Sequence, residues 1–134
     1  MPMFRQGSVG TVSTIAIPPL AGVRAGTVNP AGGLSDVITA TEVKTATLVV
    51  YAGLVAVSTG AVAAKVQSSA TSGGSYTDIS GAAIAGFGPS DDNTIQTVDF
   101  EIPADKPFLK VVLTQSQATD LSCAMIDLRG PMRG

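Results

Sequence analysis

From Thr45 to Ala64 the chain runs for twenty residues, TATLVVYAGLVAVSTGAVAA, without a charge. A helix of that length would cross a bilayer, since roughly 20 apolar residues span the hydrocarbon. Its make-up points elsewhere. Val, Thr and Tyr crowd the first half, and β-branched and aromatic side chains fit a pleated strand better than a helix. Ser58, Thr59 and Gly60 make a turn-prone interruption. Lys44 and Lys65 flank the run on both sides and offer no asymmetry to orient a span. The expectation is two strands, Thr45–Val57 and Ala61–Ser68, with Leu48–Val57 covered on both faces and no membrane partner.

The remaining strands follow from period two. Val12, Ile15 and Ile17 lie in Gly10–Ile17, which Pro18 and Pro19 are expected to stop. In Thr94–Ile102, Val98, Phe100 and Ile102 point one way while Thr97, Asp99 and Glu101 point the other. After a Pro-bounded turn, Phe108–Thr114 places Leu109, Val111 and Leu113 on one face. Its other face, with Phe108, Lys110 and Val112, is too apolar for open water and is expected to be covered. Leu121–Leu128 is the last strand. Short strands separated by Gly, Pro and Ser turns imply an all-β fold, a β-sandwich of jelly-roll type, as one domain over residues 1–134.

Three segments lack strand patterning. Residues 18–36 carry three prolines and four glycines and read as a long loop or arm. Residues 1–8 read as an N-terminal arm, and residues 129–134 as a C-terminal tail. Each end has arginine and one large apolar side chain: Phe4 with Arg5, and Met132 with Arg129 and Arg133. Together with Phe108 and Val112, these are the candidate partner-binding residues.

Catalytic chemistry finds little material. The chain has no histidine, which removes the commonest general base and most zinc sites. Cys123 is the one cysteine, so no internal disulfide forms, and its apolar neighbours suggest a small buried hydrophobe. Asp91, Asp92 and Asn93 read as a polar turn without calcium-loop spacing. Asp99 and Glu101 read as a solvated strand face. Gly73 and Gly74 lack the Lys-Ser/Thr that follows in a phosphate loop. The net charge of −2, with eight scattered Lys and Arg, gives no basic patch for nucleic acid. No enzyme, cofactor or metal site is expected. The first residues lack the basic and apolar regions of a secretory signal, so synthesis in the cytoplasm is expected. Charged residues make up only 13% of the chain, against about 25% for an ordinary soluble protein. Either Ser and Thr cover the surface, or part of it is hidden against other chains.

One ordered set of motifs goes further. Lys65, Val66, Gln67 and Ser68 lead into the Gly-rich turn Thr71–Ser75. Tyr76, Thr77, Asp78 and Ile79 follow, with Gly81 closing the unit. Then come Lys106-Pro107-Phe108-Leu109-Lys110-Val111-Val112-Leu113-Thr114 and a basic end with Arg129, Pro131 and Arg133. This order resembles the small all-β head decoration or cement proteins of tailed bacteriophages, over Thr41 to Gly134. The resemblance implies a non-enzymatic virion structural protein on the capsid surface. Its partners would be the major capsid protein, whose neighbouring copies it bridges, and itself, as a dimer or trimer. A tail- or fibre-associated β domain and a carbohydrate-binding β-sandwich module are the alternatives.

Overall fold

The computed structural model describes residues 11–20, 26–28, 37–41, 43–55, 61–115 and 120–132, without the side chains of 11–20, 26–28 and 130–132. Nine strands follow in order: β1 (Thr11–Leu20), β2 (Gly26–Val28), β3 (Ile38–Thr39), β4 (Val43–Leu54), β5 (Val62–Ser69), β6 (Thr77–Phe87), β7 (Thr94–Glu101), β8 (Phe108–Gln115) and β9 (Leu121–Met132). Among the described residues none is helical, and no helix is long and apolar enough to cross a membrane. The uncharged run is strand at both its ends, in β4 and in β5.

Two sheets form, ordered β1-β9-β4-β7 and β2-β8-β5-β6, with β3 also on β8. Five of the antiparallel pairings, β1–β9, β2–β8, β3–β8, β4–β7 and β5–β6, are those of one long hairpin. The first half of the chain runs up to the Gly-rich turn, and the second half runs back along it. Rolling this ribbon creates the two further pairings, β4–β9 and β5–β8. The result is the jelly-roll sandwich, in which one ribbon supplies alternate strands to two facing sheets.

The core lies between the sheets. Leu48 and Val50 of β4 and Ile126 of β9 face Val62 and Val66 of β5 and Leu109, Val111 and Leu113 of β8, all buried. The period-two reading of β7 and β8 holds: Phe100 and Ile102 are buried while Thr97, Asp99 and Glu101 are exposed. At one end a buried polar cluster ties the sheets together. Ser122 Oγ donates to Gln115 Oε1 at 2.7 Å, and Gln115 Nε2 donates to the Asp120 carbonyl at 2.9 Å. Gln115 is fully buried, so these bonds satisfy an amide that would otherwise be stranded in the core.

Four expectations are corrected. Pro18 and Pro19 do not end β1, which continues to Leu20. Among the described residues β1 is an edge strand paired with β9 alone, and both prolines fall in the register shift between Ile17 and Leu20, where neither has a ladder partner to lose. The same segment and β2 place parts of the expected loop 18–36 in strands; the rest of that loop lies outside the described residues. The expected tail is strand as far as Met132: Arg129 pairs with Thr11 and Thr45, and Met132 with Val43. Apolar alternation ends near Leu128, but ladder hydrogen bonds do not require it. Finally, Gly81 does not close β6. It sits at φ +80, within a register shift against β5 between Lys65 and Gln67, and the strand runs on to Phe87. A positive-φ glycine inside a strand marks a bulge.

Candidate functional site

The motif that carries the resemblance is a structural clasp. Lys65 and Gln67 stand two apart on β5 and so point to the same, outer face. Asp78 lies opposite Gln67. Gln67 Nε2 donates to Asp78 Oδ1 at 2.8 Å, and Lys65 Nζ lies 3.1 Å from the same carboxylate. These hydrogen bonds, from Gln67 first and then Lys65, hold the Asp78 carboxyl below its usual range. Tyr76 Oη donates to the Ser72 carbonyl at 2.6 Å, pinning the turn, and the Lys110 ammonium sits 4.6 Å above the ring centre. Gly74 suits this turn, because a Cβ there would force the Thr71 and Ser69 hydroxyls to move aside. Tyr76 is thus the hairpin anchor.

The acidic turn is occupied in the same way. Asp91 Oδ2 accepts from the Gly88 N–H at 2.6 Å and Asp92 Oδ1 from the Val55 N–H at 2.8 Å. Asn93, at φ 57, accepts the Tyr51 hydroxyl at 2.8 Å. The two aspartates cap backbone donors, and Asn93 holds a side-chain hydroxyl, at the start of β7. Among the described residues no group of three ligating side chains is placed to hold a metal ion.

What remains is the outer face of the β1-β9-β4-β7 sheet. Directly paired residues share a face, so the registers of β4 define its rows. Arg129, Thr45 and Glu101 form one row, and Asp127, Thr47 and Asp99 the next. Thr47 Oγ1 donates to Asp99 Oδ1 at 2.6 Å. The following rows are Met125, Val49 and Thr97, then Cys123, Tyr51 and Ile95, with Leu121 paired to Leu54 beyond them. The face is charged at one end and apolar at the other. Ile95 is 62% exposed and Leu54 42%, while Val49, Tyr51, Leu121, Cys123 and Met125 are half-buried. Burial pushes the Cys123 thiol up, away from its reactive form; on this outer face it is half-buried, not the core hydrophobe expected.

The candidate residues scatter. Phe4, Arg5 and Arg133 lie outside the described residues. Arg129 is exposed at the charged end of the face, bordering an open cleft of about 1000 Å³ whose wall includes Asp99, Glu101, Asp78 and Lys106. Met132 follows it in β9. Phe108 and Val112 lie on the other sheet, where Phe108 is half-buried and Val112 retains only 8% exposure within its own chain. The apolar strip was not singled out in the sequence. Its signal is the alternation Leu121, Cys123, Met125 and the second apolar face of Val49 and Tyr51.

No family model and no curated protein matches the chain. Among solved structures, one described as the structure of infectious bursal disease virus Gx strain matches 90% of this chain at 13% identity and a TM-score of 0.40. The crystal structure of the infectious bursal disease virus VP2 subviral particle matches 90% of it at 12% identity and a TM-score of 0.41. The chain spans about a third of each, 33% and 32%.

Proposed function

We propose that this chain is a virion structural protein that binds the outer surface of a phage head and bridges neighbouring major capsid proteins. The observation that carries this reading is the outer face of the β1-β9-β4-β7 sheet. Its apolar strip around Ile95, Tyr51 and Leu54 borders a charged end with Arg129, Asp99 and Glu101. Contiguous apolar surface rimmed by polar groups is the usual character of a docking face. The jelly roll is a fold used by viral capsid domains, though also by lectins. The motif residues that carry the resemblance to decoration proteins act here as a clasp, which suits a protein whose task is shape.

In mechanism, burying the strip against a shell contributes about 25 cal/mol per Å² of apolar area removed from water. The charged end fixes orientation, since a displaced register would desolvate Asp99 or Arg129 without a partner. Repetition over many equivalent positions, with each copy touching more than one capsid subunit, turns a modest single contact into stable attachment.

Co-sedimentation with purified heads, tails and neither tests the reading. Binding to heads supports it, binding to tails alone favours a tail-associated domain, and binding to neither overturns it.

A further inference from the structure

A β-sandwich exposes the rims of its sheets, and an open rim is a template for pairing with another strand. Three of the four rims here are blunted. β1 contains Pro18 and Pro19 and two register shifts. The rim of the second sheet beside β8 is broken into β2 and β3, of three and two residues. β6 carries two register shifts and the positive-φ Gly81. β7 differs from all of these. Its eight residues, Thr94–Glu101, pair with β4 in eight unbroken steps, with no proline and no bulge. Among the described residues no strand pairs with its other side. That side borders β6, to which Gln96 Nε2 donates at the Gly86 carbonyl (3.2 Å), and an open cleft separates the two strands at Asp99 and Glu101.

We propose that the free edge of β7 is a self-association surface, on which β7 of a second copy pairs antiparallel about a two-fold axis to join two four-stranded sheets into one. Strand pairing needs two open edges, and the one unblunted edge described in this chain is β7 itself. Every copy presents it, so an isologous contact closes at two copies. Direction follows from charge. Parallel pairing would stack Asp99 on Asp99 and Glu101 on Glu101, and like charges directly opposite are unfavourable. Antiparallel pairing separates them.

Register follows from the core. Opposed residues must share a face, so the axis passes through a residue. Val98 is only half-buried, packed at the margin of the core. An axis there sets Val98 against Val98 of the second copy and covers both. It also sets Asp99 opposite Thr97 of the second copy, and Glu101 opposite Ile95. No acid then faces an acid. This goes beyond the proposed function and does not depend on shell binding, because it concerns the free protein.

Sedimentation equilibrium of the purified full chain tests it, with substitutions whose signs depend on this register. Thr97 is exposed, so changing it leaves the core intact. Thr97→Asp faces Asp99 of the second copy twice per dimer and should weaken dimerisation about two- to thirtyfold. Thr97→Lys should tighten it by a similar factor. Ser72→Asp, in the distant turn, carries the same charge change as Thr97→Asp and should leave the dimer unaltered. In parallel, NMR on a mixture of labelled and unlabelled wild-type chains should give intermolecular contacts within Thr94–Glu101. A chain that stays monomeric, equal effects of the two Thr97 variants, or intermolecular contacts confined to Tyr51 and Met125 would overturn the proposal. Since no capsid is present, failure here leaves the head-binding test standing, and failure there leaves this one.

Discussion

The outer faces of the two sheets start from similar strands and end in opposite conditions. On the β2-β8-β5-β6 face, polar groups answer one another: Lys65 and Gln67 hold Asp78, and Lys110 covers Tyr76. Val112, in the middle of that face, is nearly buried without any second chain. On the β1-β9-β4-β7 face, Ile95 and Leu54 are the exposed large hydrophobics beside half-buried Tyr51 and Cys123. One face is largely closed by its own side chains, around a shallow apolar depression at Ala63, Ala83 and Val112, and the other leaves its largest apolar groups uncovered. On the proposed reading, binding would track which apolar groups the chain fails to cover, and not how many it has.

The sharpest way to break this contrast is to damage the closed face. Val112→Lys would place a cation opposite Lys65 and two residues from Lys110 at a site with 8% exposure. A stability loss of about 3 kcal/mol is expected, read as a shift in urea midpoint. A variant as stable as wild type would mean that this face, too, is open surface. On the other face the effect should reverse in kind. Ile95→Lys should leave stability within about 0.5 kcal/mol, yet lower affinity for heads by about tenfold or more, a change of hot-spot size, in a sedimentation assay. Unchanged attachment would move the docking face elsewhere.

Two smaller effects sharpen the description of the clasp. Gly81→Ala meets no neighbouring atom, so any cost comes from the backbone at φ +80. About 1–2 kcal/mol is expected from thermal unfolding. The least effect belongs to Asp78→Asn. Because the folded carboxyl titrates below its unfolded value, its contribution is complete above the unfolded value and is lost as pH falls through the folded one. Wild-type and variant melting temperatures should therefore differ slightly near neutrality and converge in acid.

Much of this arrangement was legible in the residues. Alternation in Thr94–Ile102 and Phe108–Thr114 identified inner and outer faces correctly, because side-chain period two survives any register. The Gly-rich turn and Tyr76 announced the hairpin. Less legible were the ends and edges. Arg129 to Met132 and Pro18 to Leu20 are held by backbone pairing with strands far away in sequence, and local pattern carries no trace of that. The apolar strip was hidden for a related reason. Val49, Met125, Tyr51, Cys123 and Ile95 come from three strands, and only the registers of β4 line them up.

The rolled ribbon also has a consequence for how fast the molecule forms. Gln67 and Asp78 are 11 residues apart, while Thr47 and Asp99, farther down the same ribbon, are 52 apart. Closing the longer loop directly costs about 1.4 kcal/mol more in chain entropy. Closing it after the turn has formed avoids that cost. Assembly is thus expected to zip from the tip towards β1 and β9, with the slow rates of a topology dominated by distant contacts. Tyr76→Phe, which removes the bond to Ser72, should then slow refolding while leaving unfolding nearly unchanged in a chevron plot. The opposite pattern would place nucleation elsewhere. On this view the turn acts as a timer: it governs how long sticky, unpaired strands remain exposed before the sandwich shuts.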